Sequence, residues 1–300
     1  MGWITPIWDV REPLDIYRTR TSTSVRAEFL GGEWRKVGIA KDLVIIAAPL
    51  VATLVVAVIV LSGRAAGFST RIGTGDYNIV SGVIVSCVLI SVLAYGLKRH
   101  PGQLARVVVA CITVAGTTSG LVLFKLWFEI TGAAPILFLS AIPLGYVGIS
   151  WSVKGYYGSL SQRKSNVLVI GSATLLGALI GTSLSPLFTI TFLGALALMD
   201  FLVVETNLLT RLTGTQRYGE VLSLTTLPLE TSLVGLGDFL AYSILVATSF
   251  QLRGLIGALE TIAFVLCGAL ITLQITRLRS KTAGLVIPIS LGVIPVILGL

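Results

Sequence analysis

Two aspartates stand in surroundings that are otherwise almost wholly apolar, Asp200 within LGALALMDFLVVE and Asp238 within LVGLGDFLAYSILV. No basic residue lies near either in sequence. An ionisable group at bilayer depth costs about 2.5 to 3.5 kcal/mol on insertion scales, so it is a functional candidate by default. If the two acids face each other, repulsion and desolvation make the pair share one proton. One carboxylate then acts as base toward a water while its protonated partner polarises a carbonyl, which is aspartyl-protease chemistry. Separate hydrogen bonds to neighbouring helices, joint coordination of a cation, or a proton relay in a transporter are the competing readings of the same residues.

The elements that must carry these acids are set by composition. Of 300 residues, 54% are hydrophobic and 12% charged, about half the charged share of an ordinary soluble domain. A water-soluble surface cannot be assembled from that, and the chain must be solvated by lipid. Apolar stretches near the length of about 20 residues needed to cross a bilayer recur along it. They run over 43 to 62, 79 to 97, 107 to 128, 133 to 153, 167 to 184, 187 to 204, 233 to 250, 255 to 275 and 283 to 300. A backbone in hydrocarbon must satisfy its own hydrogen bonds, and no short alternating barrel pattern is present, so the expected fold is all-α with nine spans. Residues 1 to 42 are expected to form a cytoplasmic segment, 43 to 184 a scaffold of five helices, and 187 to 300 the region of helices six to nine, with 205 to 232 as a connecting loop.

Basic residues near span ends favour the cytoplasm. They crowd the first 42 residues and the segments holding Lys98, Arg99, Arg106, Lys154, Arg163, Lys164, Arg211, Arg217, Arg277, Arg279 and Lys281, while only Arg64, Arg71 and Arg253 fall on the opposite side. The N terminus is therefore expected inside and, with nine spans, the C terminus outside. The net charge of +8 follows from this topology and from attraction to anionic headgroups, without nucleic acid. The early basic residues do not resemble a cleavable signal peptide. Cys87, Cys111 and Cys267 fall inside spans and read as small apolar packing residues, not as thiolates or metal ligands.

The sixth span travels inward and the seventh returns. Asp200 lies about five residues before one cytoplasmic end and Asp238 about five after the next, so both sit roughly 8 Å below that face at about 1.5 Å per residue. Two further ionisable sites are weighed against them. Lys125 and Glu129 are four apart beside Trp127, which favours a snorkelling surface pair. Glu260 lies in the outer half of the eighth span, where packing or hydration is favoured over catalysis.

Gly235-Leu236-Gly237-Asp238 places two glycines just before the second acid, which lets another backbone approach or the helix start irregularly. The same pattern recurs at Gly73-Thr74-Gly75-Asp76, but that copy sits in an outside loop and reads as a turn. The copy at Asp238 opens a span, pairs with Asp200 in depth and continues as Phe239-Leu240-Ala241-Tyr242-Ser243-Ile244-Leu245-Val246. This longer string resembles the presenilin family of intramembrane aspartyl proteases. Nine spans, an inside N terminus and acids on spans six and seven are similar to that family too. Leu285-Val286-Ile287-Pro288-Ile289-Ser290 occupies the place of its Pro-Ala-Leu element, with only Pro288, Ile289 and Ser290 agreeing. Met199 stands where the family usually has tyrosine before the first acid.

The resemblance implies Asp200 and Asp238 as catalytic acids, Gly235, Gly237 and Tyr242 as supporting residues, and Leu285, Val286, Ile287 and Pro288 as the substrate-binding element. It implies single-span transmembrane or membrane-peptide substrates, no cofactor and no metal. The expected setting is the plasma membrane of a microbe. Val221 to Leu229, VLSLTTLPL, is β-branched enough to pair with an unwound substrate, although a plain loop is the favoured reading. The rivals are a prepilin-type leader peptidase, which would want a lysine soon after the acid, an ion- or proton-coupled transporter using Asp200, Asp238 and Glu260, which would want an inverted repeat, and an inactive helix-binding homologue.

Overall fold

The computed structural model describes residues 32–65, 79–131, 139, 141–208, 211, 221, 225–228, 233–278 and 283–300, with the side chains at 32–40, 63–65, 79–82, 129, 130 and 162 left aside. In chain order the elements are α1 (Gly32–Ala65), α2 (Ile79–Arg99), α3 (Pro101–Thr131), α4 (Ala141–Tyr156), α5 (Gln162–Ser183), α6 (Pro186–Glu205), β1 (Thr226–Pro228), β2 (Leu233–Gly235), α7 (Leu236–Leu278) and α8 (Val286–Ile297). Five of these, α1, α3, α5, α6 and α7, contain stretches long and apolar enough to cross a bilayer. The chain is thus an integral membrane protein of the helical class. The first helix starts at Gly32, ahead of the apolar run that opens at residue 43, so part of the expected N-terminal segment is helical. The copy of the glycine pattern ending at Asp76 and the side chain of Glu129 lie outside the described residues.

α7 is a hairpin rather than one rod. Gly254 has φ 63° and ψ −149°, a conformation open to glycine and costly to side-chain-bearing residues. A Cβ on Gly257 would come within 3.0 Å of the carbonyl oxygen of Ser249, whereas eight residues of continuous helix would separate the two by about 12 Å. The chain therefore doubles back at Gly254, and the seventh and eighth apolar stretches are its two limbs. Gly292 of α8 touches both, since a Cβ there would meet Leu245 on the first limb and Val265 on the second, each at 2.6 Å. The helix of the ninth stretch is shorter than the expected span, and of the fourth span the described helix begins at Ala141. α4 has 16 residues and α8 has 12, or about 18 Å of helix at about 1.5 Å per residue. In α8 the preceding residues 284 and 285 turn away to face the acids.

The first limb of α7 is the centre of the molecule. Phe239, Ala241, Tyr242, Ile244, Leu245, Val246 and Ala247 are all buried, the all-round burial expected of a helix with no polar face. α5 reaches it through Gly177 and Gly181, four apart. A Cβ on Gly177 would lie 2.6 Å from that of Ser243, and one on Gly181 would lie 2.3 Å from the carbonyl oxygen of Ile244. Small residues at this spacing let helix backbones approach closely where apolar burial alone gives no preference in lipid. Thr53 of α1 lies 3.0 Å from Ser243, hydroxyl to hydroxyl, adding a buried polar contact to the same helix.

α2 and α4 sit at the periphery. Ile84, Val88 and Val92 on α2, and Ile142, Leu144 and Ile149 on α4, are exposed, as befits surfaces solvated by acyl chains. The three cysteines are free and exposed rather than packed inside the bundle. Their helices turn them toward the lipid side, where a small apolar residue costs nothing.

Candidate functional site

α6 begins where Ser185, as N-cap, accepts a 3.3 Å hydrogen bond from the Phe188 N–H, with Pro186 following in the first turn. Both features are sequence-encoded helix starts. The helix ends at Glu205, where the Thr206 N–H donates to the Leu202 carbonyl and Asn207 turns to φ 50°. Asp200 is thereby carried one and a half turns inside the helix end, half-buried.

β1 and β2 form an antiparallel pair, with Thr226 opposite Gly235, Leu227 opposite Val234 and Pro228 opposite Leu233. The expected loop over 221 to 229 is therefore a strand at 226–228, and its partner is this chain's own Leu233–Gly235. β2 runs directly into α7 at Leu236, so the hairpin fixes where that helix starts. Asp238, at the third helical position, reaches back so that its Oδ2 accepts a 3.0 Å hydrogen bond from the Gly235 N–H. This is the capping-box arrangement, in which an acid at N3 satisfies a backbone donor at the helix start.

The other acid is held in a parallel way from another element. Asp200 Oδ2 accepts a 2.9 Å hydrogen bond from the N–H of Leu285, the N-cap residue of α8, and the Gly284 N–H also faces this carboxylate. Helix starts leave backbone N–H groups without intrahelical partners and carry partial positive charge. Each acid thus answers the N-terminus of a helix, Asp238 that of α7 and Asp200 that of α8. This gives two carboxylates a place in an apolar bundle with no lysine or arginine paired to them among the described residues. The two lie close enough to act on one another through their charges.

Tyr242 is four residues beyond Asp238 and its ring is buried. Its hydroxyl donates to the Gly284 carbonyl at 3.2 Å and so braces the backbone that binds Asp200. Leu285, Val286 and Ile287 are half-buried and Pro288 is buried. Pro288 stands in the first turn of α8, where its missing N–H is harmless. A Cβ on Gly268, in the second limb of α7, would lie 2.5 Å from the Pro288 Cα, so the start of α8 rests directly on that limb. Sequence-predicted residues of both groups are therefore brought together around the acids. Gly284 was missed because neither its neighbours nor its spacing mark it.

Glu260 is not an isolated acid. Its carboxylate pairs with the Arg253 guanidinium, which approaches it through both terminal nitrogens. The expectation of a packing or hydration site gives way to an ion pair made possible by the turn at Gly254. A cavity of about 170 Å³ lies behind the β-hairpin, lined among others by Arg106, Asn166, Thr225, Leu236 and Phe239. Neither acid lines it.

In overall fold the chain is similar to a solved structure of a presenilin family intramembrane aspartate protease, with a TM-score of 0.53 and 18% sequence identity over 86% of this chain and 98% of that one. The fold is therefore presenilin-like. No family model and no curated protein matches the sequence.

Proposed function

We propose that the protein is an intramembrane aspartyl protease that hydrolyses peptide bonds within transmembrane helices or remnant membrane peptides. The observation that carries this reading is the meeting of Asp200 and Asp238 from separate apolar helices, each bound to backbone N–H groups and within charge reach of the other. The protein solved with this fold, itself described as an intramembrane aspartate protease, supports it, as does the GLGD sequence at Gly235 to Asp238.

In the reaction one carboxylate takes a proton from a water as its oxygen attacks the scissile carbonyl carbon, while the protonated partner gives its proton to the carbonyl oxygen. The tetrahedral diol then collapses, the C–N bond breaks, and the amine leaves with a proton returned from the dyad. Gly235, Gly237 and Tyr242 support the acids, and Leu285, Val286, Ile287 and Pro288 receive the substrate backbone. The chain crosses the membrane nine times, N terminus inside and C terminus outside, in the plasma membrane of a microbe. The transporter alternative loses one of its three acids, because Glu260 is neutralised by Arg253.

The test is incubation of the purified protein with a labelled single-span substrate, comparing wild type with Asp200→Asn and Asp238→Asn. Asparagine keeps an oxygen that accepts from the same backbone N–H groups, so the fold is preserved while the acid is lost. Cleavage by wild type and its disappearance in both variants is expected. Retained cleavage in either variant excludes a two-acid mechanism.

A further inference from the structure

Gly284 joins the two acids through its backbone, and the space where its side chain would be belongs to Asp238. Its N–H faces Asp200 and its carbonyl accepts from Tyr242. A Cβ placed on it would stand 2.9 Å from Asp238 Oδ2, with the Cγ at 3.6 Å and the other oxygen at 3.7 Å. Real Cβ atoms do not sit that near an oxygen, so one of the two would have to move.

The glycines of the GLGD sequence are in a different position. A Cβ on Gly235 would meet the Asp238 carboxyl at 3.5 Å, an ordinary contact, and one on Gly237 would meet nothing within 4 Å. The steric demand at the second acid therefore comes from residue 284, across the bundle. Nor does the backbone require glycine there, because among the described residues only Gly158 and Gly254 are glycines with positive φ.

We infer that Gly284 is a positioning residue of the dyad, and this rests on the proteolytic reading of Asp200 and Asp238. By lacking a side chain it lets Asp238 keep its bond to the Gly235 N–H while the same backbone holds Asp200. A methyl group at 284 would push the Asp238 carboxyl off that bond and change the separation of the acids. The obstructed atom is the end of a side chain and not backbone, so the displacement is cheap for folding and costly for geometry. Gly116 is the opposite case, since a Cβ there would run into the Ser172 backbone at 2.4 Å.

The experiment compares wild type, Gly284→Ala and Gly194→Ala, the last on an exposed α6 position with nothing within 4 Å of its added carbon. For Gly284→Ala, kcat is expected to fall about 10-fold or more with KM within about twofold, the sensitivity typical of a misplaced reacting group. Its pH–rate profile should also shift, because the interaction of the two acids depends on their separation. Gly194→Ala should match wild type in all three. Unchanged kcat in Gly284→Ala, or a lower kcat on an unmoved pH profile, overturns the assignment, the second because it reports only less active protein.

An arm independent of catalysis uses infrared spectra of protein carrying isotope-labelled aspartate, with the dyad's carboxyl bands assigned through Asp238→Asn. These bands should move in Gly284→Ala. If they move and wild type cleaves no substrate, the positioning role stands and proteolysis fails. If they stay in place, the positioning role fails whatever the activity.

Discussion

The two ends of the first limb of α7 treat charge in opposite ways. At its start, Asp238 lies near another carboxylate and, among the described residues, is held by the Gly235 N–H of the backbone. At its far end, Arg253 is matched by Glu260 on the returning limb. A bundle built only for stability would pair its acids as the second end does, because an acid brought near another acid is repelled by it. The first end accepts that repulsion, and backbone dipoles at two helix starts make it tolerable without neutralising it. A lysine or arginine there would stabilise the site and abolish the sharing of a proton on which the proposed chemistry depends.

Substitution at the two ends should therefore separate activity from stability, and the largest effect belongs to the acids. Asp200→Asn or Asp238→Asn should lower the cleavage rate by roughly a thousandfold or more, the order seen when one member of a catalytic unit is removed. Their thermal unfolding temperatures in detergent should hold or rise, since one like charge has gone and the hydrogen-bond acceptor remains. A variant that loses several degrees while keeping its rate would show that the acid is structural and break the contrast.

The opposite end should respond in reverse. Glu260→Gln leaves the Arg253 guanidinium without its carboxylate at a half-exposed site, where such a pair is worth no more than about 1 kcal/mol after screening. That corresponds to an unfolding temperature lower by about 2 to 4 °C, with kcat unchanged. The double variant Arg253→Gln/Glu260→Gln should recover part of the loss, because the two residues act as one unit. A fall in kcat with Glu260→Gln would place that residue in the reaction and revive the transporter-like use of three acids.

The sequence carried some of this and not the rest, for physical reasons. Nine apolar stretches could be bounded because lipid imposes a length and composition on each helix, and the two acids stood out because charge in such stretches is expensive. The doubling back at Gly254 was legible only as a gap between two stretches. The partner of Glu260 depends on that turn, since Arg253 and Glu260 are seven apart and would lie about 10 Å from each other along an unbroken helix. The bond from Leu285 to Asp200 joins residues 85 apart in the chain, and no local pattern encodes a donor at that range. The glycines flanking Asp238 drew attention through their motif. The one whose missing side chain leaves room for its carboxyl, Gly284, is identified by tertiary packing alone.

Tyr242 gives the smallest effect and the finest test of how the first end is organised. Its hydroxyl bonds to the Gly284 carbonyl at 3.2 Å and not to either acid in the structure. If its role is to brace that backbone, Tyr242→Phe removes one neutral hydrogen bond while leaving the buried ring in place. A bond of that kind is worth about 0.5 to 1.5 kcal/mol, so kcat should fall by about 2-fold to 13-fold with KM little changed. Direct participation in proton transfer would instead cost about a hundredfold or more. The loss in Tyr242→Phe should also be less than additive with that in Gly284→Ala, because both act through the same peptide unit. Full additivity would mean that the tyrosine works on the dyad by a separate route.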